Sequence, residues 1–92
     1  MENHYIKCSR KLDSRTIYVK SECLLSVWVD VIFVLIDCDF EITKITEKKY
    51  QQTQAKSKWH YSVTDKGSSN FISFLEENHQ KTLKIINKKA IK

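Results

Sequence analysis

Three carboxylates near the middle of the chain have residue types and a spacing that could do chemistry: Asp37, Asp39 and Glu41. Carboxylates at the end of an apolar run can hold Mg²⁺ in nucleases. Neighbours on one face of a strand lie roughly 6.6 Å apart, so two of these side chains could share a metal only by converging. Lys44 falls on the opposite strand face from Glu41. The pattern favours a solvated or protein-binding acidic face, with a metal-dependent nuclease as the less favoured alternative.

The sequence lacks the common signatures of nucleophiles and bound metals. With a single glycine it cannot contain a GxSxG motif or a phosphate-binding glycine loop. Its three histidines have no metal-ligand spacing to one another or to the cysteines. Cys8, Cys23 and Cys38 are odd in number and form no CxxC pair, which favours small apolar residues in a reducing compartment. We therefore predict a cytoplasmic protein with no catalytic residue, metal or cofactor, and hence not an enzyme.

The two halves of the chain differ in charge. Residues 1–43 carry five Lys/Arg and seven Asp/Glu, a net −2, whereas residues 44–92 carry eleven Lys and four Asp/Glu, a net +7. Such a basic half attracts phosphate or acidic protein, although a solvated lysine-rich surface would look the same. The candidate binding residues in this half are Lys44, Lys48, Lys49, Lys56, Lys58 and His60.

Aromatic and basic residues alternate at the centre of this basic half, in the segment 56–61. Rings between lysines can stack on nucleic-acid bases while the ammonium groups contact phosphates. Trp59 and Tyr61 also share a strand face with Val63, which predicts that they are buried against the last helix.

Hydrophobic periodicity outlines the secondary structure. Residues 4–12 and 16–20 suit two strands joined by a turn at Asp13–Ser14. The apolar run over 24–37 suits either a buried strand or a helix, and it is too short to cross a membrane. Strict alternation over 36–42 predicts a strand with the three carboxylates on one face.

The second half begins with a polar segment over 43–58 that suits a solvated helix or a long hairpin loop. A strand is expected over 58–64, followed by a turn in which Gly67 supplies a positive φ. An apolar stripe then predicts a long amphipathic helix over 69–89. The predicted fold is a single α+β domain over 1–92, with an antiparallel sheet of four to five strands and the C-terminal helix packed on it.

The stretch Trp59-His60-Tyr61-Ser62-Val63-Thr64-Asp65-Lys66-Gly67, followed by 71–75, resembles the wing and last helix of winged-helix proteins. In that family a strand runs into a Thr-(Asp/Glu)-Lys-Gly turn and then a helix. The resemblance covers residues 58–75. It implies a DNA-binding regulator in which the segment 43–54, with Lys44, Lys48, Lys49 and Gln52, would enter the major groove.

Two functions follow as expectations. The first is a small non-enzymatic protein that binds nucleic acid or a nucleoprotein through its basic half. The second is a protein inhibitor or adaptor that uses the acidic strand. In size and lysine bias the chain resembles small phage proteins that block nucleic-acid-targeting host defences. The expected partner is nucleic acid or a nucleic-acid-binding protein, not a membrane.

Overall fold

The computed structural model describes residues 3–56 and 59–90, with side chains through residue 86. In chain order the elements are β1 (Tyr5–Arg10), β2 (Arg15–Glu22), α1 (Leu25–Asp37), β3 (Glu41–Ile45), α2 (Glu47–Gln54), β4 (His60–Thr64) and α3 (Ser68–Ala90). No helix among these residues is both long enough and apolar enough to span a bilayer.

The four strands form one mixed sheet in the order β3–β1–β2–β4. β1 is antiparallel to both β2 and β3, whereas β4 is parallel to β2. The predicted α+β class with a long C-terminal helix is confirmed, and four strands lie in the predicted range. The purely antiparallel arrangement is wrong. The connection from β3 to β4 contains a helix, so the chain crosses the sheet and enters β4 in the direction of β3.

The apolar segment 24–37 forms the helix α1, and the strand predicted over 36–42 is wrong. Asp39 has a left-handed backbone with φ of 67°, a conformation that a short polar side chain tolerates. The N–H of Phe40 then donates to the carbonyl of Leu35 at 3.0 Å, as in a Schellman motif. The alternation after residue 36 therefore marks the end of a helix, and the extended chain begins only at β3.

The polar segment 43–58 contains the end of β3 and then α2. Thr46 caps α2, since its hydroxyl accepts a hydrogen bond from the N–H of Lys49 at 3.1 Å. The last helix, α3, extends one residue beyond the predicted range 69–89 at each end. Its periodicity was a sound guide because apolar residues return to the sheet at helical spacing.

Gly67 precedes α3 without the positive φ that its position suggests. Its N–H donates to the hydroxyl of Thr64 at 3.0 Å, and a Cβ on this residue would lie at the same distance from that oxygen. Glycine therefore suits this turn because the chain passes close to Thr64, not because of the sign of φ.

The two faces of the sheet are covered differently. α1 and α3 pack on one side, the inner face, where the strands contribute Ile6, Cys8, Ile17, Val19 and Val63 to the core. α2 lies on the opposite side, the outer face, because Tyr50 contacts Tyr5, which alternates with Ile6 along β1. The outer face is only partly covered, and it holds the candidate site.

Candidate nucleic-acid interface

One row of side chains crosses all four strands on the outer face. Lys7 of β1 is paired with Thr43 of β3 and with Tyr18 of β2, and Tyr18 is paired with His60 of β4. Residues paired in this way point to the same side of a sheet. We call these four residues the open row.

α2 covers the next row of outer-face side chains, which includes Tyr5, and contacts one end of the open row at His60. The ring of Tyr50 is buried between Tyr5, with centroids 5.2 Å apart, and His60, at 5.0 Å. Burial raises the pKa of the Tyr50 hydroxyl. The hydroxyl of Thr53, also on α2, lies 2.9 Å from Nε2 of His60. Because α2 ends over this corner of the sheet, it holds His60 in place.

The ring of Tyr18 rests on this anchored histidine. The two rings are stacked, with centroids 4.7 Å apart and planes inclined by 12°. Tyr18 is only half-buried, and the Lys7 ammonium group is exposed beside it. A held aromatic ring next to a mobile cation can stack on a base and contact a phosphate at the same time.

Hydroxyl groups lie on the side of the open row that α2 does not cover. Ser9 is paired with Thr16 and with Glu41 in the adjacent row. Ser9 and Thr16 are half-buried, and Glu41 is exposed. Hydroxyl groups are donors and acceptors of the kind that can contact sugars or base edges, and Glu41 adds a negative charge on this side of the row.

The two strand lysines that point to the outer face, Lys7 and Lys20, differ in their partners. Nζ of Lys20 lies 2.9 Å from a carboxylate oxygen of Glu22, and this contact raises the pKa of Lys20. Within the described part of the chain, Lys7 takes part in no ion pair. Of these two lysines, Lys7 is therefore the one whose charge is available to an external phosphate.

The predicted basic residues divide between two sides of the molecule. Lys48 and Lys49 on α2, and Lys56 just after it, are exposed on the outer-face side. Lys44 pairs with Ile6, so it points toward the inner-face side at the edge strand β3. Lys58 lies outside the described residues. His60 lies next to α2, and its ring is stacked beneath Tyr18; its role in binding stays a prediction.

The aromatic residues around His60 also divide by alternation. Tyr61 lies on the inner face, 5.5 Å from the Phe71 ring and 5.6 Å from the Phe74 ring, as predicted. The predicted burial of Trp59 is wrong, because the residue is 50% exposed. Trp59 precedes β4 at the end of the sheet, where the Arg15 guanidinium lies 5.6 Å from its ring centroid.

The predicted acidic strand face does not exist in the fold. Asp37 is the last residue of α1, Asp39 is in the left-handed turn, and Glu41 begins β3 on the outer-face side. Asp39 approaches α3, where its carboxylate lies 3.9 Å from Nε2 of His79. The predicted protein-binding face depended on a strand that the three carboxylates would share, and that strand is absent from this segment. Protein binding by the individual carboxylates stays a prediction. No group of three or more metal-ligating side chains occurs within the described ranges.

A buried charge on the inner face has no counterpart in the sequence-based prediction. The Arg10 guanidinium is enclosed at the end of β1 and donates two hydrogen bonds to Asp13, at 2.7 and 3.0 Å. It also lies 4.6 Å from the Phe40 ring centroid and 3.4 Å from Nδ1 of His79. Since arginine has no acceptor, that nitrogen must accept, which places the proton of neutral His79 on Nε2.

Arg15 extends this polar cluster toward α3. Its guanidinium donates to the side-chain oxygen of Asn78 at 2.6 Å, and its backbone N–H donates to Asp13 at 3.2 Å. The Arg10 hydrogen bonds, aided by the charges of both arginines, lower the pKa of the Asp13 carboxyl. We call Arg10, Asp13, Arg15, Asn78 and His79 the arginine corner. Its internal partners indicate a structural role.

Compared with known protein families, with curated proteins and with solved structures, the chain matches none of them significantly. Sequence reasoning identified the basic α2 segment and His60, but it did not identify Lys7 or Tyr18. The available signal was a tyrosine and a lysine two residues apart, and so on the same strand face, in each of two adjacent strands: Tyr5 with Lys7, and Tyr18 with Lys20.

Proposed function

We propose that this protein binds single-stranded nucleic acid, or a nucleoprotein that presents it, through the open row. The observation that carries the proposal is the half-buried Tyr18 ring, stacked on His60 and placed directly beside the exposed Lys7. Aromatic stacking on bases is tolerant of sequence and contributes about 1–3 kcal/mol per base. The ammonium group adds a phosphate contact next to the ring.

A single strand suits this surface better than a duplex. The faces of bases in a duplex are already stacked on one another, whereas a flexible strand can turn a base onto a protein ring. The open row lies on the face of a sheet, and α2 projects above that face on one side of the row only. Such a surface offers a platform for a base rather than an element that would enter a major groove.

The lysines of the α2 side extend the platform with positive charge. Lys48, Lys49 and Lys56 are exposed around a helix that lies on the same face as the open row. They would guide the backbone and make binding depend strongly on salt. Glu41 at the start of β3 and Glu47 at the start of α2 are also exposed, so the surface around the open row is not uniformly cationic.

The proposed action is binding without catalysis. A small protein of this kind can block a nucleic-acid-targeting host defence by occupying the nucleic acid or nucleoprotein that the defence needs. The size and lysine bias shared with small phage inhibitors support this extension of the proposal. The winged-helix resemblance stays a prediction, and its proposed recognition segment 43–54 consists of the end of β3 together with α2.

The test is fluorescence anisotropy with short labelled single-stranded RNA, single-stranded DNA and duplex DNA, at low and near-physiological salt. We expect the single strands to bind more tightly than the duplex, and binding to weaken steeply with salt. Lys7→Glu should weaken binding on the order of ten-fold, because it places a carboxylate beside the stacked base.

Lys66→Glu is the matched control, since Lys66 is an exposed lysine in the turn between β4 and α3. It changes the net charge by the same amount at a site away from the open row. Equal losses for the two variants would show that only net charge matters, and would contradict the site. Tight duplex binding that is insensitive to Lys7→Glu would favour the winged-helix alternative through α2.

A further inference from the structure

The outward side of α1 carries an apolar stripe that nothing in the described chain covers. Leu25, Val29, Phe33 and Ile36 recur at helical spacing and are among the exposed large hydrophobic residues, with Phe33 at 61% and Leu25 at 67% exposed. The opposite side of the same helix is buried in the core. An exposed continuous stripe of this kind marks an interaction surface.

Negative charge borders this stripe on one side. Asp30 and Asp37 are seven residues apart, so they lie on the same side of α1, next to the stripe. The sequence of α1 contains no lysine, arginine or histidine. A partner that covers the stripe should therefore present apolar side chains flanked by positive charge.

The distal half of α3 has this complementary composition. The sequence contains no Asp or Glu after Glu77. Lys81, Lys84 and Ile85 fall on one face at spacings of three and four residues, and Ile85 is 57% exposed. Along the described part of α3, His79 is the last residue that forms a hydrogen bond with the sheet. About 16 Å of helix follows before Ala90.

We propose that a second copy of this chain covers the α1 stripe with the distal half of its own α3. The stripe from Leu25 to Ile36 is about 16 Å long, which matches the distal half of α3. In a two-fold dimer the contact occurs twice, because each copy supplies one acidic α1 and one basic distal α3. Asp30 of one copy then faces Lys81 and Lys84 of the other.

Charge distinguishes this arrangement from the other coverings of the stripe. If two α1 stripes packed on each other, Asp30 and Asp37 would meet the same carboxylates across the two-fold axis, which is unfavourable. An anionic membrane leaflet would also be repelled by the acidic border. A basic, partly apolar helix is the chemistry that fits, and the chain itself contains one.

The first measurement is the molar mass of the intact protein by light scattering and sedimentation over a range of concentrations. We expect twice the chain mass of 10.9 kDa at high concentration. Phe33→Glu should raise the dimer dissociation constant about 30-fold or more, as for a central aromatic contact. Because Phe33 is exposed, the variant should keep the wild-type circular dichroism spectrum, and at concentrations where wild type is monomeric it should also keep the wild-type melting temperature.

A charge exchange tests which helices meet. Asp30→Lys alone, and Lys81→Glu with Lys84→Glu alone, should each be monomeric, since each places like charges in both contacts of its homodimer. An equimolar mixture of the two variants should restore the dimer, because every acidic helix then faces a basic one. This experiment uses residues outside the open row, so its outcome is independent of oligonucleotide binding.

The alternatives give different results. A wild-type protein that stays at the mass of one chain at the highest concentration overturns the proposal. If Asp30→Lys strengthens the dimer and the lysine variants change nothing, α1 packs on α1. If the mixture of the two charge variants stays monomeric, the distal half of α3 is not the partner of α1. Co-sedimentation of the monomer with anionic vesicles would assign the stripe to a membrane surface instead.

Discussion

Two cationic side chains of β1, Lys7 and Arg10, are three residues apart and lie in opposite environments, one exposed and one buried. Arg10 is 2% exposed, and its side chain points to the inner face, where it is held by Asp13 and the Phe40 ring. Lys7 points to the outer face and is exposed beside Tyr18. A buried charge needs internal partners, since desolvation costs several kcal/mol per ion. An exposed charge is solvated by water and can exchange that water for a ligand.

The comparison separates the residues that maintain the fold from those that are available for binding. Changes in the arginine corner should alter stability. Changes in the open row should alter binding and leave the fold intact. The following experiments test this separation, from the largest expected effect to the smallest.

Arg10→Ala should lower the free energy of unfolding by about 3–5 kcal/mol, because it leaves Asp13 without its main partner and a void beside Phe40. Urea denaturation followed by circular dichroism measures the loss. Arg10→Met, which restores most of the volume, should lose less. A loss below about 1 kcal/mol for Arg10→Ala would show that the buried guanidinium contributes little net stability.

Asp13→Asn should lower the free energy of unfolding by about 2–3 kcal/mol at neutral pH, because the Arg10 guanidinium loses its counter-charge. The folded-state pKa of Asp13 is lowered, first by the hydrogen bonds from Arg10. Its contribution is therefore complete above the unfolded pKa of about 3.9 and is lost as pH falls through the lower, folded pKa.

Urea titrations of wild type and Asp13→Asn at several pH values measure this linkage. The difference between the two proteins should be constant from pH 7 down to about 5, and should shrink below about 4. A difference that does not change with pH would mean that the carboxylate charge is not what stabilises the corner.

Tyr18→Leu should weaken single-strand binding by about 1–3 kcal/mol, while Tyr18→Phe should stay close to wild type, because stacking needs the ring and not the hydroxyl. Both variants should change the free energy of unfolding by less than about 1 kcal/mol, since Tyr18 is only half-buried. Anisotropy and urea denaturation on the same samples check both statements. Loss of binding by Tyr18→Phe would instead assign the contact to the hydroxyl.

The elements were predictable where one periodicity persisted over many residues. The stripe of α3 continues for several turns, so its length and buried side were clear. The segment 36–42 was misleading because the alternation covers only seven residues. Its apolar residues at 38 and 40 are buried through a helix end and a turn, not through a strand. The determining feature, a left-handed Asp39, leaves little trace in hydrophobicity.

The open row was not predictable because it depends on strand register. A two-residue turn at Asp13–Ser14 would have placed Lys7 opposite Lys20. The loop instead takes four residues, 11–14, and Lys7 is paired with Tyr18. A change of two residues in loop length therefore decides whether a lysine faces another lysine or an aromatic ring. The position of β4 beside β2, which brings in His60, depends on long-range packing that no local pattern encodes.

Cys8 gives the chain an internal reporter of its own opening. Its thiol lies on β1, between two neighbouring strands, is 0% exposed, and burial raises its pKa to about 12. The thiolate is the nucleophile that attacks an alkylating reagent, so this cysteine is inert while the sheet is closed and regains ordinary reactivity once β1 is released. The rate at which an added reagent modifies Cys8 thus measures how often the centre of the sheet opens, and no label has to be introduced into the chain.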